Sequence, residues 1–381
     1  MSTTKNYHWR IAGFYFFYFA FVGMYSPYWS LYLKSIQFDA VQIAILMSVM
    51  PMMRMLAPAL WGWLADCTGK RLLVVQLAAL CSALSYLGVF ATTGFYGMLL
   101  VLGMMSFFWS ASMPLVEATT LTYLGKHAAH YGRIRSWGSV GFVVTVLGLG
   151  YAFDTIAIAW ILWVGMALKL GILLFARQIP PTEVLAHHTD SQPIMRIVSQ
   201  PQVLVFFGAC FLMSVAHGPY YTFFSIYLVE HGYAKSAVGW LWALGVVCEI
   251  GVFFLMPWLT RRCTLPHILM VSLACAVLRF LMIAWLVDSL WLLLVAQALH
   301  AATFGAFHAA AVALIHDFFQ GRHQSKGQAL FGSVTYGAGG MAGGLMSGPL
   351  WQHWGASAMY SCSAGMALLG LLLIGWKLRA N

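Results

Sequence analysis

Charge is what this sequence has least of. Only 8% of its 381 residues are Asp, Glu, Lys or Arg, against 61% that are hydrophobic. A soluble domain carries roughly 25% charged residues. A water-soluble globule of this size is therefore excluded, and lipid is the solvent that remains. In lipid every backbone polar group must be satisfied within the protein, so spanning segments are helices or a closed barrel. A barrel needs apolar residues in alternation. Here they come in long unbroken runs, which predicts an all-α integral membrane protein.

Other absences narrow the function. No C-x-x-C occurs among the seven cysteines. Cys67 and Cys263 fall at helix ends, and the other five lie inside apolar runs, where a thiol behaves as a small hydrophobe. Neither a disulfide framework nor a metal site is expected. There is no P-loop, no G-x-S-x-G and no metal-ligand spacing. The sequence thus reads as neither an enzyme nor an ATP-driven pump, and no cofactor is expected. No cleavable signal peptide is expected either. The apolar run from Ile11 is too long for one and ends in Pro27 and Lys34, not at a small-residue cleavage site.

Acidic residues number 10 against 20 basic ones, a net charge of +10. Such a balance would suit a nucleic-acid partner, but its distribution points elsewhere. Twelve spans are predicted, at 11–33, 40–64, 72–92, 96–123, 134–153, 157–176, 203–229, 237–259, 267–287, 290–315, 326–349 and 355–376. With the N-terminus in the cytoplasm, the inner segments collect Lys5, Arg10, Lys70, Arg71, Lys126, Arg133, Arg177, Arg196, Arg261, Arg262, Arg322, Lys326, Lys377 and Arg379. The outer ones hold only Lys34 and Lys235. Positive residues inside are the mark of a multi-pass protein oriented by its loops. The expectation is a bacterial inner (plasma) membrane protein with both termini cytoplasmic, its partner the lipid bilayer and not nucleic acid.

The longest polar stretch, 177–202, falls in the middle of the chain. It predicts an N-terminal six-helix bundle at 1–180, a cytoplasmic linker at 181–202 and a C-terminal six-helix bundle at 203–381. Internal echoes agree. WSLYL at 29–33 returns as FSIYL at 224–228, an offset of 195 residues, and WGSVGF at 137–142 returns as FGSVTY at 331–336. Secondary transporters are built from such repeats.

The turn after the second span reads Gly62-Trp-Leu-Ala-Asp66-Cys-Thr-Gly69-Lys70-Arg71. Gly62 would let a neighbouring helix come close. Asp66 would suit a helix N-terminus, and Gly69 would turn the chain. This run resembles the major facilitator superfamily signature G-x-x-x-D-R-x-G-R-K/R, with Cys67 in place of the first Arg. The resemblance implies the major facilitator fold, twelve helices in two six-helix bundles. It also implies a conformational latch made of Gly62, Asp66, Gly69, Lys70 and Arg71.

Two narrower resemblances follow. Pro114-Leu-Val-Glu117-Ala with Tyr131-Gly-Arg133-Ile-Arg135-Ser-Trp-Gly138 resembles spans four and five of lactose permease, which implies substrate-binding roles for Glu117 and Arg135. The chain is more similar to the phenylpropionate permease family, through His217-Gly-Pro-Tyr-Tyr221, the run Leu244–Glu249 and the span-ten histidines His300 and His308. That resemblance implies proton-coupled symport of an aromatic carboxylate such as 3-phenylpropionate, with protons as partner and the proton gradient as driving force. A monomer is expected to suffice. Symport of a sugar, oligosaccharide or nucleoside, drug efflux, and a non-transporting sensor of the same fold stay open as rivals.

A charge at the bilayer centre costs about 2.5–3.5 kcal/mol, so each intramembrane charge is a functional candidate. Arg54 lies twelve residues before Asp66, about 18 Å along a helix, near the midplane. The 195-residue offset maps Arg54 onto Glu249. Either the two face each other across a central cavity or each is satisfied locally. Glu117 and Arg135 either bind substrate or lock spans four and five together. Lys169 reads as snorkelling to the end of span six. Arg279 is placed to pair with Glu249. Each histidine is either a hydrogen-bonded helix contact or a proton carrier, and Glu249, His308 and His217 are the proton-coupling candidates. Pro27 and Pro219 predict broken helices at similar points of the two halves, a pointer to the binding site. Three arginines against two carboxylates favour an anionic substrate. The expected binding set is therefore Arg54, Glu117, Arg135, Tyr25, Trp29, Tyr221 and Arg279.

Overall fold

The computed structural model describes residues 3–125, 130–179 and 194–377. Among the described residues there are helices and turns and no strand. Helix α1 runs over 3–35. It is followed by α2 (Ala40–Thr68), α3 (Arg71–Phe90), α4 (Phe95–Leu124), α5 (Tyr131–Thr155) and α6 (Ile158–Ala176). After the short helix Met195–Val198 come α7 (Pro201–Glu230), α8 (Lys235–Arg262), α9 (Leu265–Trp285) and α10 (Leu290–Phe318). Apolar runs carry each helix, and ordinary punctuation ends it. Pro201 opens α7 at a position where its missing N–H is not needed. Thr264 caps α9 by accepting from the His267 N–H.

Ten helices among the described residues are long and apolar enough to cross a membrane. The last of them, Gln324–Lys377, has 54 residues, about 80 Å of helix where the hydrocarbon core is about 30 Å thick. Gly355, at φ 77°, breaks it into α11 (324–354) and α12 (356–377). With α1, this accords with the twelve helices expected. Of the expected linker, 181–193 lies outside the described residues. Leu100, Phe254, Trp291 and Leu372 are exposed on their helices, a surface suited to acyl chains and not to water.

The chain forms two compact units, one of 1–38 and 56–189, the other of 39–55 and 190–381. The sequence halves and these units differ over α2, whose first half packs on α11. Ser333 donates to the Met55 carbonyl at 3.5 Å, and a Cβ on Gly344 would strike the Ser48 hydroxyl.

Each unit is closed by a helix pair in backbone contact. In the first, a Cβ on Gly23 of α1 would come within 2.8 Å of the Phe142 carbonyl on α5. In the second, a Cβ on Gly218 of α7 would land on the backbone of Gly343 in α11. Gly23 and Gly218 keep the 195-residue offset. Lipid gives helices no hydrophobic drive to associate, so small residues that permit close approach supply it.

The proline expectation holds on one side only. Pro27 sits in a π-helical turn, Tyr25–Trp29, within α1. Pro219 lies inside α7 without breaking it. It has no N–H to give the carbonyl of Val215 four residues back. That carbonyl faces Gly343, whose missing Cβ leaves it room. Helix α7 thus runs on unbroken past Pro219. The irregular turns of the second unit lie instead at Ala301–Ala306 in α10 and Gly332–Gly339 in α11.

Gly343→Leu should force α7 and α11 apart, lowering stability by about 1–3 kcal/mol or more. Thermal unfolding of the purified protein would show it as a lower midpoint. Gly365→Ala, at a site open to 4 Å, should leave the midpoint unchanged.

Candidate functional site

The second unit holds a polar network where lipid-embedded protein can least tolerate loose ends. Arg279 of α9 is fully buried. Its Nε donates to the Ala296 carbonyl at 3.0 Å, and Nη2 donates to Gln297 Oε1 at 3.2 Å. The α10 ladder changes register nearby, at the π turn Ala301–Ala306, and such turns release backbone groups for other partners. Nη1 reaches His217 Nε2 at 3.3 Å and Thr303 Oγ1 at 3.5 Å. The guanidinium lies 4.3 Å over the Tyr220 ring, a cation–π contact. The Tyr220 hydroxyl donates to the same Gln297 oxygen at 3.2 Å.

These contacts assign His217 its tautomer. Nδ1 faces the Met213 carbonyl at 2.8 Å, and a carbonyl only accepts. Nδ1 therefore carries the hydrogen, and Nε2 accepts from Arg279. Protonating Nε2 would set N–H against N–H. In this geometry both ring nitrogens of His217 are occupied, Nδ1 by Met213 and Nε2 by Arg279. Arg279 is likewise spent inside the protein, not open to a substrate.

Glu249 of α8 meets His300 of α10, Oε1 to Nε2, at 2.8 Å, with 13% and 7% of the side chains exposed. The expected pairing of Arg279 with Glu249 is replaced: Glu249 pairs with His300, and Arg279 bonds to Ala296, Gln297, His217 and Thr303. Two small residues bring the helices together. A Cβ on Gly245 would stand 3.1 Å from the His300 ring, and one on Gly305 would stand 3.5 Å from Glu249. His300 stacks on Phe304 with centroids 5.4 Å apart, which holds the imidazole edge toward the carboxylate. A carboxylate and an imidazole at this distance share one proton and can release or accept it as a unit.

Against Phe304, on which His300 stacks, is a cavity of about 30 Å³ lined also by Ser214, His217, Tyr221, Thr303 and Tyr336. That is room for one or two waters. His308 lies beyond it, its Nδ1 2.7 Å from the Tyr336 hydroxyl. Thus Tyr221, His217, Glu249 and His308 gather in one neighbourhood of one unit.

The remaining candidates are dispersed. Arg54 and Glu249 both belong to the second unit; Arg54 is exposed on α2. In the first unit, Arg135 Nε lies 4.0 Å from Glu117 Oε1. Tyr131 donates to that oxygen at 3.1 Å, and the Arg135 guanidinium covers the Phe19 ring at 3.9 Å. Both charged groups are about a third exposed, which leaves them open to a ligand. Tyr25 and Trp29 are buried, their hydroxyl and indole N–H without hydrogen-bond partners. Lys169 does not snorkel; it is buried against Ser82.

The residues expected to act as a latch form a turn. Gly69 has φ 63°, Lys70 precedes α3 and Arg71 opens it. Asp66 faces Arg71 at 4.0 Å and is largely exposed. Among the described residues no atom stands within 4 Å of a Cβ on Gly62. Among the described residues no three His, Cys, Asp or Glu converge as a metal site would need.

The model of the MFS_1 like family matches residues 8–362. The chain belongs to that family. It is accordingly a multi-pass membrane transporter of the major facilitator type, not an enzyme. The MFS_1 like chain is 30% identical over 366 residues to the "Probable 3-phenylpropionic acid transporter" of Escherichia coli (strain K12), with 95% of each chain covered. It is 27% identical over 368 residues to the maltose permease of Geobacillus stearothermophilus, covering 95% of this chain and 92% of that one. The crystal structure of nucleoside transporter NupG superposes with a TM-score of 0.85 at 17% identity, over 99% of this chain and 100% of that one. At that identity the likeness concerns the fold alone.

Three members of the network were not singled out from sequence, Gln297, Thr303 and Tyr336, while Tyr220 lay within the quoted run His217–Tyr221. Nothing in an apolar run marks a Gln or Thr as facing inward. His300 stood among the titratable candidates, but its pairing with Glu249 depends on how α8 and α10 cross.

Arg279→Lys keeps the charge but lacks the planar fork, so it cannot serve Ala296, Gln297 and His217 together. It should lower stability by about 1–3 kcal/mol, read as a lower unfolding midpoint. An unchanged midpoint would mean the fork is not needed.

Proposed function

We propose that this transporter takes up a small aromatic carboxylate, with 3-phenylpropionate as the test compound, together with a proton. The buried Glu249–His300 pair carries the reading. Holding one proton the pair is neutral; without it the core carries a bare negative charge in a low-dielectric setting, which is strongly unfavourable. A carboxylate arriving with a proton adds no net charge to the core, whereas the anion alone would add a second uncompensated negative charge, so the anion is carried only with the proton. The proton gradient then drives uptake, and no cofactor is required.

The anion would be met by arginine. Arg135, part-exposed beside Glu117, is the first such group, and Arg54, exposed on α2, is the second. Tyr25, Trp29 and Tyr221 supply aromatic surface. His308 with Tyr336 extends the polar path from Glu249. Arg279 acts through Gln297 and His217 instead of touching substrate. Alternating access would move the bundles 1–180 and 203–381, with the Gly62–Arg71 loop as latch. The protein would work as a monomer in a bacterial inner membrane, both termini cytoplasmic. Similarity along the whole chain to a relative named for 3-phenylpropionic acid supports the substrate class. The similarity to a relative named maltose permease supports uptake of a sugar as the rival, and a nucleoside remains the other alternative substrate.

Cells expressing the chain should accumulate labelled 3-phenylpropionate at low concentration, and a protonophore should abolish the accumulation. No uptake above empty cells, with uptake of maltose or uridine instead, would replace the substrate.

Glu249→Gln should separate coupling from binding. Uphill accumulation should vanish, while exchange of external labelled for internal unlabelled substrate should persist. If Glu249→Gln still concentrates substrate, Glu249 is not the proton site.

A further inference from the structure

The first unit buries a cation that takes no part in the Glu249–His300 network. Lys169, on α6, is 2% exposed. Its Nζ donates to Ser82 Oγ at 3.0 Å and lies 3.9 Å over the Phe21 ring. Among the described residues no carboxylate pairs with it. An ammonium has three donors, and one is used.

Polar atoms without hydrogen-bond partners lie around it. They are the Tyr25 hydroxyl and Trp29 indole N–H on α1 and the Tyr86 hydroxyl on α3. The Tyr86 hydroxyl rests against Gly165, where a Cβ would collide with it. Gly165 is one turn before Lys169 on the same face of α6, and a helical side chain leans back over that turn. Phe21, under the ammonium, has its ring 6.0 Å from that of Tyr25 and 6.1 Å from that of Tyr86. Trp29 stacks on Tyr25 at 5.6 Å. Buried polar groups left unsatisfied are few in native proteins, and each calls for a reason.

The second unit also sets a buried cation against a tyrosine, there with an acceptor present, though its cation comes from a different place in the repeat: the residue 195 positions before Arg279 is Leu84. Tyr220 follows Tyr25 by the repeat offset of 195 residues. Its ring lies under the Arg279 guanidinium, and its hydroxyl and Arg279 both donate to Gln297 Oε1. The residue 195 positions before Gln297 is Leu102, which has no acceptor to offer. The first unit thus has the cation and the tyrosine but lacks the group that joins them.

We infer that a carboxylate is the missing acceptor, and that Lys169 with Tyr25, Trp29 and Tyr86 forms a carboxylate-binding subsite inside the first unit. The ammonium has donors to spare, and the Trp29 N–H and the two hydroxyls have none of theirs taken, so the chemistry selects an anion. The ring walls select an aromatic one. Tyr25 and Trp29 both sit on the π turn of α1 around Pro27, and such irregular turns recur at binding sites. The identity of the acid rests on the proposed symport of an aromatic carboxylate; the existence of the subsite does not.

The test is thermal unfolding of the purified full chain with sodium 3-phenylpropionate, benzoate or acetate, and with neutral 3-phenylpropanamide. Wild type is compared with Lys169→Met and Tyr25→Phe. Lys169→Met removes an uncompensated buried cation, so without ligand it should unfold at or above the wild-type temperature. It should bind the acid at least about tenfold more weakly, with Tyr25→Phe between, and treat the amide as wild type does. If benzoate stabilises wild type, 3-phenylpropionate does not, and Lys169→Met loses the effect, the subsite stands and the transported acid is a different one. If Lys169→Met binds 3-phenylpropionate as wild type does, the subsite is overturned and the symport reading stands. Stabilisation of wild type by none of the acids overturns both. Should Lys169→Met not fold, Tyr25→Phe decides: unchanged acid binding overturns the subsite.

Discussion

A charge inside a lipid-embedded helix bundle has no water to turn to, and much of this molecule is arranged around that constraint. Arg279 answers it with a complete set of acceptors: a backbone carbonyl, a glutamine oxygen, a histidine nitrogen and a tyrosine face. Glu249 answers it with His300. Glu117 and Arg135 answer it by remaining near each other and partly exposed. The contrast between a saturated arginine and a part-exposed one separates a group that positions its neighbours from a group able to receive a ligand.

Helix irregularity serves the same end. A regular α-helix in lipid has spent its backbone groups on itself. Where α10 and α11 turn π-helical, at Ala301–Ala306 and Gly332–Gly339, they supply Thr303 and Tyr336 to the polar network. The carbonyl that Pro219 leaves unpaired is met by a different device, a glycine on α11. Proline therefore does not by itself mark a break.

The fold was largely legible. Long apolar runs, a polar middle, basic loops on one side and a 195-residue echo lead to twelve helices without any contact being known. The site was legible only in part. Glu249, His217, His308, Arg279 and Tyr221 stand out because a charge, a histidine or an aromatic near a proline is conspicuous in an apolar run. Gln297 and Thr303 do not stand out, since either can satisfy itself on its own helix. The snorkelling expected of Lys169 failed because a position near a helix end says nothing about which face is turned inward, and α6 turns Lys169 toward Ser82 and Phe21.

What the sequence by itself determined is the solvent, the secondary structure, the repeat and the stock of charged groups committed to the membrane. These follow from composition and spacing, which act along the chain. The partners of those charged groups were decided only by tertiary structure. Glu249 lies between two candidates, His300 and Arg279, and the crossing of α8 and α10 at Gly245 and Gly305 gives it the histidine. Likewise α2 divides its length between two compact units because α11 presents glycines to its first half. Pairing depends on rotations of helices about their axes, and the backbone contacts that set those rotations come from residues far apart in the chain.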